Sequence, residues 1–494
     1  MARRLLIAPL ILLGILLLSL IQVRPSAGQT LEKNWTSPYR LSSQDKSSSQ
    51  PYILSDKYGY VHLFWVETGG DGERATINYT NFNGQTWASP VDIYAAPIDS
   101  PILYMSPTID DNGTLYLAWT EGESGPAYMS TAPAFNALSA QNWQSPVRLD
   151  IPSFLFELRV DSAGFFHVFY ALPGSAGSGL YYKRSEDRGA SWVDLQRIDP
   201  DTPSNLNANV IKFILDDNNG LHATWTYVDL NITAGAAGTW VRYAHSLDGG
   251  KSWAFPVSID ESDESADELR MAYPAMTVNG DIINIVWTGD SAVHREYSYS
   301  ADRGETWSVN KRIFGDLQGQ ARGDGLALDS LGRTHFIGNI RWPTGLYYSM
   351  WDEDQWTPPL LVYLIRENSD TDPGDRISAH DIRMAVRSGN QIVVAFADAP
   401  DAPKRGLFVI QETLPDAPVL ASEPIPTATV QPTPVPTATS VPPTPTPLPL
   451  PEQISKQPIL ADPQTPGRTL VLGLVPILAL LGISLVFRLI LQRR

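Results

Sequence analysis

Three stretches, Ser185-Glu-Asp187-Arg-Gly189-Ala-Ser191-Trp192, Ser246-Leu-Asp248-Gly-Gly250-Lys-Ser252-Trp253 and Ser300-Ala-Asp302-Arg-Gly304-Glu-Thr306-Trp307, spell one pattern, Ser-X-Asp-X-Gly-X-Ser/Thr-Trp. Each copy has the chemistry of a tight β-hairpin. The Ser and Asp oxygens accept turn amides, Gly supplies a positive φ, and Trp opens the next strand while burying a large apolar face. The pattern is therefore a fold signal before it is anything else.

Outward from these turns the whole of residues 29–414 repeats. Trp35, Trp87, Trp143, Trp192, Trp253, Trp307 and Trp356 are 52, 56, 49, 61, 54 and 49 residues apart, close to the period of a four-stranded propeller blade. Similar strands follow several of them, as in Trp87-Ala-Ser-Pro90-Val-Asp-Ile93 and Trp143-Gln-Ser-Pro146-Val-Arg-Leu149. A second pattern, Asp-X-X-Gly-X-X-His-X-X-Trp, joins two strands by a turn inside each repeat. Its copies are Asp56-Gly59-His62-Trp65, Asp110-Gly113-Tyr116-Trp119, Asp161-Gly164-His167-Tyr170 and Asp329-Gly332-His335-Gly338. A shifted copy runs Asp216-Asn219-His222-Trp225, and worn copies end at Trp287 and Phe396. Alternating apolar and polar positions mark these segments as strands, so the chain is all-β. Inner units and Trp-led outer strands both number seven, but the first outer strand, 35–42, precedes the first inner unit. The simplest closure lays that strand on the outer edge of the last blade, near 381–411, giving seven four-stranded blades.

The Ser-X-Asp-X-Gly-X-Ser/Thr-Trp pattern resembles the Asp box (BNR repeat) of the sialidase superfamily. The resemblance implies a β-propeller, in most sialidases of six blades, which is the alternative count. It also implies that the boxes (Ser185, Asp187, Gly189, Trp192; Ser246, Asp248, Gly250, Trp253; Ser300, Asp302, Gly304, Trp307) are structural and that ligands bind on the opposite face near the axis.

The formal net charge of −17 excludes a nucleic-acid partner, which needs a basic face. No Cys is present, so neither disulfides nor thiolate metal sites are available. Residues 1–28, with Arg3 and Arg4 before an apolar run and Ser26-Ala27-Gly28 after it, read as a signal peptide, with an uncleaved anchor helix as the alternative. Residues 415–466 are dominated by Pro and Thr and read as a disordered stalk. Residues 467–491 read as one transmembrane helix with a cytoplasmic tail at 492–494, because Arg488, Arg493 and Arg494 follow the apolar run. The expected location is the cell membrane, with the propeller outside the cell.

The candidate ligand face gathers Tyr104, Glu157 with Arg159, Asp267 and Glu268 with Arg270, Arg322 with Asp324, and His380 and Asp381 with Arg383. Arginines converging from several blades offer forked donors to a ligand carboxylate; the alternative is that each pairs with its acidic neighbour on the rim. The sialidase resemblance further implies an Arg on the first inner strand, a Tyr nucleophile with a Glu, and an Asp acid/base. The first inner strand instead reads Gln50-Pro51-Tyr52-Ile53-Leu54, and no Tyr/Glu pair or acid can be assigned among Glu67, Asp71, Glu73 and neighbours. The repeated His62, His167, His222 and His335 read as packed, hydrogen-bonded residues rather than metal ligands. The acidic loops 260–268 and 370–375 carry enough oxygens for Ca²⁺ but lack EF-hand spacing. No other cofactor is implied. The expected function is binding of an extracellular glycan or surface protein without hydrolysis. An exo-α-sialidase-type glycoside hydrolase and a protein-binding scaffold are the alternatives.

Overall fold

The structure is a computed structural model that describes residues 35–425, apart from 70–71, 123–124, 152–153, 173–177, 194–195, 230–238, 261–271, 290–293, 316, 318–323, 342–343, 353–354, 366–379 and 400–403. The chain divides into two units, Met1–Pro426 and Thr427–Arg494, the second of which lies outside the described residues. So do the expected signal peptide at 1–28 and the helix at 467–491. Among the described residues no helix is long and apolar enough to cross a membrane.

Alternation of side chains along short strands, punctuated by turns, produces seven antiparallel sheets in chain order, each a blade. The seven-blade count holds and the six-blade alternative does not. The inner strands of blades one to seven are Ser47–Ser55, Ile102–Ile109, Phe154–Val160, Leu206–Leu215, Ala275–Asn279, Gly325–Leu328 and His380–Arg387. Second strands carry the core. Trp65, Trp119, Trp225 and Trp287 occupy matching positions on four of them and are fully buried, each removing a large apolar face from water.

Ring closure follows the expected route. Tyr39 pairs with Val409 and Arg40 with Phe408, so the N-terminal strand becomes the outer strand of blade seven. Thr36 and Leu41 extend the ladder through amides donated to the Gln411 and Leu407 carbonyls. Closing the circle with the opposite end of the chain leaves no blade incomplete.

Two details depart from the sequence reading. Blade six has five strands, because both Gln355–Trp356 and Leu360–Leu364 pair with Thr344–Asp352. They are one outer strand broken at Pro358-Pro359, which have no N–H to give to the ladder. The first residues assigned to the stalk, 415–425, are also placed differently, and 426–466 lie outside the described residues. Residues 415–425 lie along the propeller as a strap: Leu420 N donates to Ser388 O, Glu423 N to Lys57 O and Ser330 Oγ to Pro418 O, while Arg333 pairs with Asp416 at 2.5 Å. The strap thereby bridges blades six, seven and one.

Candidate functional site

Inner and third strands of a blade run in the same direction, so the first turn of each blade and the Ser-X-Asp-X-Gly turns after the third strands share one face. Within each Ser-X-Asp-X-Gly turn the hydrogen bonds are local. Ser185 Oγ donates to Asp187 and accepts from Gly189 N at 2.7 Å, and Asp187 accepts Ser191 N and Oγ at 2.7 and 2.5 Å; the turns at Asp248 and Asp302 repeat this set. The Ser191 hydroxyl, then the Ser191 amide and the Ser185 hydroxyl, hold the Asp187 carboxyl down at about 2. The turn Trp residues are half-buried, and they dock on the preceding blade: Trp253 lies edge-on to Phe169 and Tyr182 at 5.1 Å, and Trp307 to Tyr243 at 4.9 Å.

The repeated histidines are held at both ring nitrogens. His62 meets Tyr79 Oη at 2.7 Å and Asp56 at 3.1 Å, and His167 meets Tyr182 at 2.8 Å and Asp161 at 3.2 Å. His222 and His335 repeat the arrangement with Tyr243 and Asp216, and with Tyr348 and Asp329. In blade two Tyr116 replaces the His and donates directly to Asp110 at 3.1 Å. Among the described residues no three His, Asp or Glu side chains converge to hold a metal ion.

The opposite face opens into a cavity of about 330 Å³ lined by the early parts of the inner strands. Four of those strands carry the same irregularity. Gln50, Tyr104, Val210 and Asp381 adopt φ of +51°, +47°, +43° and +54°, each inside a bulge where the pairing register shifts. A left-handed residue without Gly costs about 1–2 kcal/mol, and such strain gathers where backbone is bent to a purpose. Here each bulge lies two residues before the side chain that its blade contributes at a fixed level: Tyr52, Ser106, Lys212 and Arg383. Blade three contributes Glu157 at that level, and blades five and six the small Ala275 and Gly325.

These side chains meet. The Tyr52 hydroxyl donates to Glu157 Oε1 at 3.1 Å. Arg159 Nη2 lies 2.9 Å from Glu157 Oε2, and Lys212 Nζ 3.5 Å from Oε1. Arg383 stacks over the Tyr52 ring with Cζ 5.1 Å from its centroid, and gives one N–H to Ile382 O. Tyr52, Glu157, Lys212, Asp324 and Arg383 also line a second cavity of about 150 Å³, so the cluster forms a floor between an outer and an inner chamber. The inner chamber is walled mainly by apolar residues such as Phe213, Met276 and Leu326.

The cluster sets its own ionisation. Burial opposes a charge on Glu157, but Arg159, Lys212 and the Tyr52 hydroxyl outweigh it and hold the carboxyl below its usual range. Burial first, then the neighbouring Glu157 charge, pushes the Tyr52 phenol well above the ordinary tyrosine range. Burial lowers the Lys212 ammonium to about 8, with Glu157 opposing. Asp324 is gripped by Arg295, with Nε 2.6 Å from Oδ2 and Nη2 3.2 Å from Oδ1.

Of the residues predicted from sequence, Tyr104, Asp324, Asp381 and Arg383 line the outer chamber. Arg159 lines the inner one and turns to Glu157 and Ser106. Glu268, Arg270 and Arg322 lie outside the described residues, as do most of the two acidic loops. Arg159 meets a carboxylate of the protein itself, Glu157, whereas Arg383 stacks on the Tyr52 ring. Glu67, a candidate acid, is occupied by Ser43 N and Oγ and by Trp65 Nε1, each at 3.1 Å. Tyr52 and Lys212 were missed. The signal for them is positional: Tyr52, Ser106, Glu157 and Lys212 each stand four residues before the turn aspartates Asp56, Asp110, Asp161 and Asp216.

No family model matches the chain, and no curated protein matches it. Solved structures do. The chain is similar to a Dyadobacter fermentans protein of unknown function (15% identity, 77% of this chain and 98% of that one, TM-score 0.45). It is also similar to the NanB sialidase of Streptococcus pneumoniae (12% identity, 78% and 71% covered, TM-score 0.41) and to the phage phi92 endosialidase (11% identity, 80% and 71% covered, TM-score 0.42). The likeness is one of architecture.

Proposed function

We propose that this chain is an exported, membrane-anchored propeller that holds a glycan in its axial cavity without cleaving it. The observation that carries the reading is the composition of the outer chamber. Tyr52, Tyr104, Phe156 and Tyr273 supply aromatic surface, and Gln50, Asn209, Asp381, Lys212 and Arg383 supply donors and acceptors around a volume of about 330 Å³. Ring faces for C–H surface and bidentate polar groups for hydroxyls are what a sugar requires, and the volume suits one or two sugar units. Export and anchoring rest on the terminal apolar segments.

A second reading, hydrolysis of the sialidase type, is favoured by the Tyr52–Glu157 hydrogen bond, since Tyr serves as nucleophile in such enzymes. The electrostatics oppose it. A carboxylate held below its usual range is a weak base toward a phenol pushed above its own. The purified full chain, screened on a glycan array and then incubated with a fluorogenic sialoside, separates the two. Binding without turnover is expected; turnover abolished by Tyr52→Phe or Arg383→Ala establishes the hydrolase instead.

A further inference from the structure

We infer that the axial cavity selects an uncharged saccharide and rejects its carboxylated counterpart, because Glu157 already occupies the cation cluster that a ligand carboxylate would use. This rests on the glycan-binding reading and narrows it to a ligand class.

Three groups from three blades converge on this one carboxylate: the Tyr52 hydroxyl, which donates at 3.1 Å, and the Arg159 and Lys212 charges at 2.9 and 3.5 Å. The Glu157 side chain is only 4% exposed, so it cannot swing into water when an anion arrives. A ligand carboxylate that displaced it would leave a buried charge stripped of its partners, and one that settled beside it would bring like charges together in a water-poor site.

The charges that remain toward the outer chamber do not invite an anion either. Among the described residues, Lys212 and Arg383 are the cations of its lining, against Glu157, Asp324 and Asp381. Asp324 is neutralised by Arg295 from behind. The Lys212 charge is directed to Glu157, leaving Arg383 and Asp381, both half-buried and of opposite sign, on the chamber's lining. Sugar hydroxyls can serve both groups, accepting from the guanidinium and donating to the carboxylate, whereas a ligand carboxylate serves only the guanidinium. The overall charge of −17 adds long-range repulsion of the same sign.

The test uses isothermal titration of the purified full chain. The probes are methyl glycosides of neutral hexoses, deoxyhexoses and N-acetylhexosamines, the matching methyl uronates, and methyl sialoside. The expected result is that a neutral glycoside binds at least about tenfold more tightly than its uronate. Glu157→Gln, which keeps the side-chain shape and removes the charge, is expected to close that gap by raising affinity for the uronate. If a uronate or the sialoside binds the natural protein as tightly as the neutral sugar, the inference fails while the glycan reading stands. If no probe binds, both fail. The comparison within the natural protein decides the matter even where Glu157→Gln does not fold.

Discussion

Gly249 and Gly250 stand side by side in one turn and give a controlled measure of what the repeated hairpins do for the ring. Both have positive φ, +69° and +81°. A methyl group added at Gly249 meets nothing within 4 Å, whereas one added at Gly250 overlaps the Tyr182 hydroxyl of the preceding blade. Gly249→Ala therefore carries only backbone strain, about 1–2 kcal/mol. Gly250→Ala carries the same strain and also displaces Tyr182 from His167, 2.8 Å away, and from Trp253. Losing a buried hydrogen-bond partner costs about 1–3 kcal/mol and an aromatic pair about 0.5–1.5 kcal/mol, so the two variants should differ by roughly 3 kcal/mol. With an unfolding entropy of about 2.1 cal/mol/K per residue over about 390 residues, 1 kcal/mol corresponds to about 1.2 °C. Differential scanning calorimetry should place Gly250→Ala about 3–4 °C below Gly249→Ala. Midpoints within about 1 °C of each other would refute the view that these hairpins act by receiving the neighbouring blade.

Lys212 titrates at about 8 in the fold against about 10.5 when unfolded, so between those values the unfolded chain binds the extra proton and stability rises with pH. Relative to Lys212→Met, the natural protein should gain up to about 3 kcal/mol between pH 7.5 and 10.5 in urea unfolding; a constant difference contradicts the assignment. The carboxyls of Asp187, Asp248 and Asp302 are held at about 2 by the hydroxyls and amides of their turns, against some burial at Asp248. Their contribution is complete above the ordinary aspartate value of 3.8 and is lost as pH falls toward 2. Carbon-13 NMR titration should show three midpoints near 2, and midpoints near 4 would mean the turns do not grip these side chains.

The architecture was legible because a blade is a local unit. Its turns need Asp and Gly, its second strand needs a run of apolar residues, and both recur at a period that survives divergence elsewhere. Closure by the 35–42 segment followed from counting outer strands against inner ones. The axial cluster was harder to read, because its members are fixed by level and not by residue type. Arg159 and Arg383 drew attention as arginines, while Tyr52 and Lys212 passed as ordinary strand residues, although all but Arg159 stand at the same level. The bulges were invisible, since nothing in the propensities of Val210 or Gln50 announces a positive φ. The strap was concealed by composition. Pro-rich sequence suggests a free tether, but Asp416 and Leu420 have specific partners on Arg333 and Ser388.

The seven residues at the axial level, Tyr52, Ser106, Glu157, Lys212, Ala275, Gly325 and Arg383, behave like the pins of a lock barrel. Tyr52, Glu157, Lys212 and Arg383 are pins that touch one another, while Ala275 and Gly325 leave their places nearly bare. A single substitution at this level would thus recut the axial void while the seven wedges around it stay as they are.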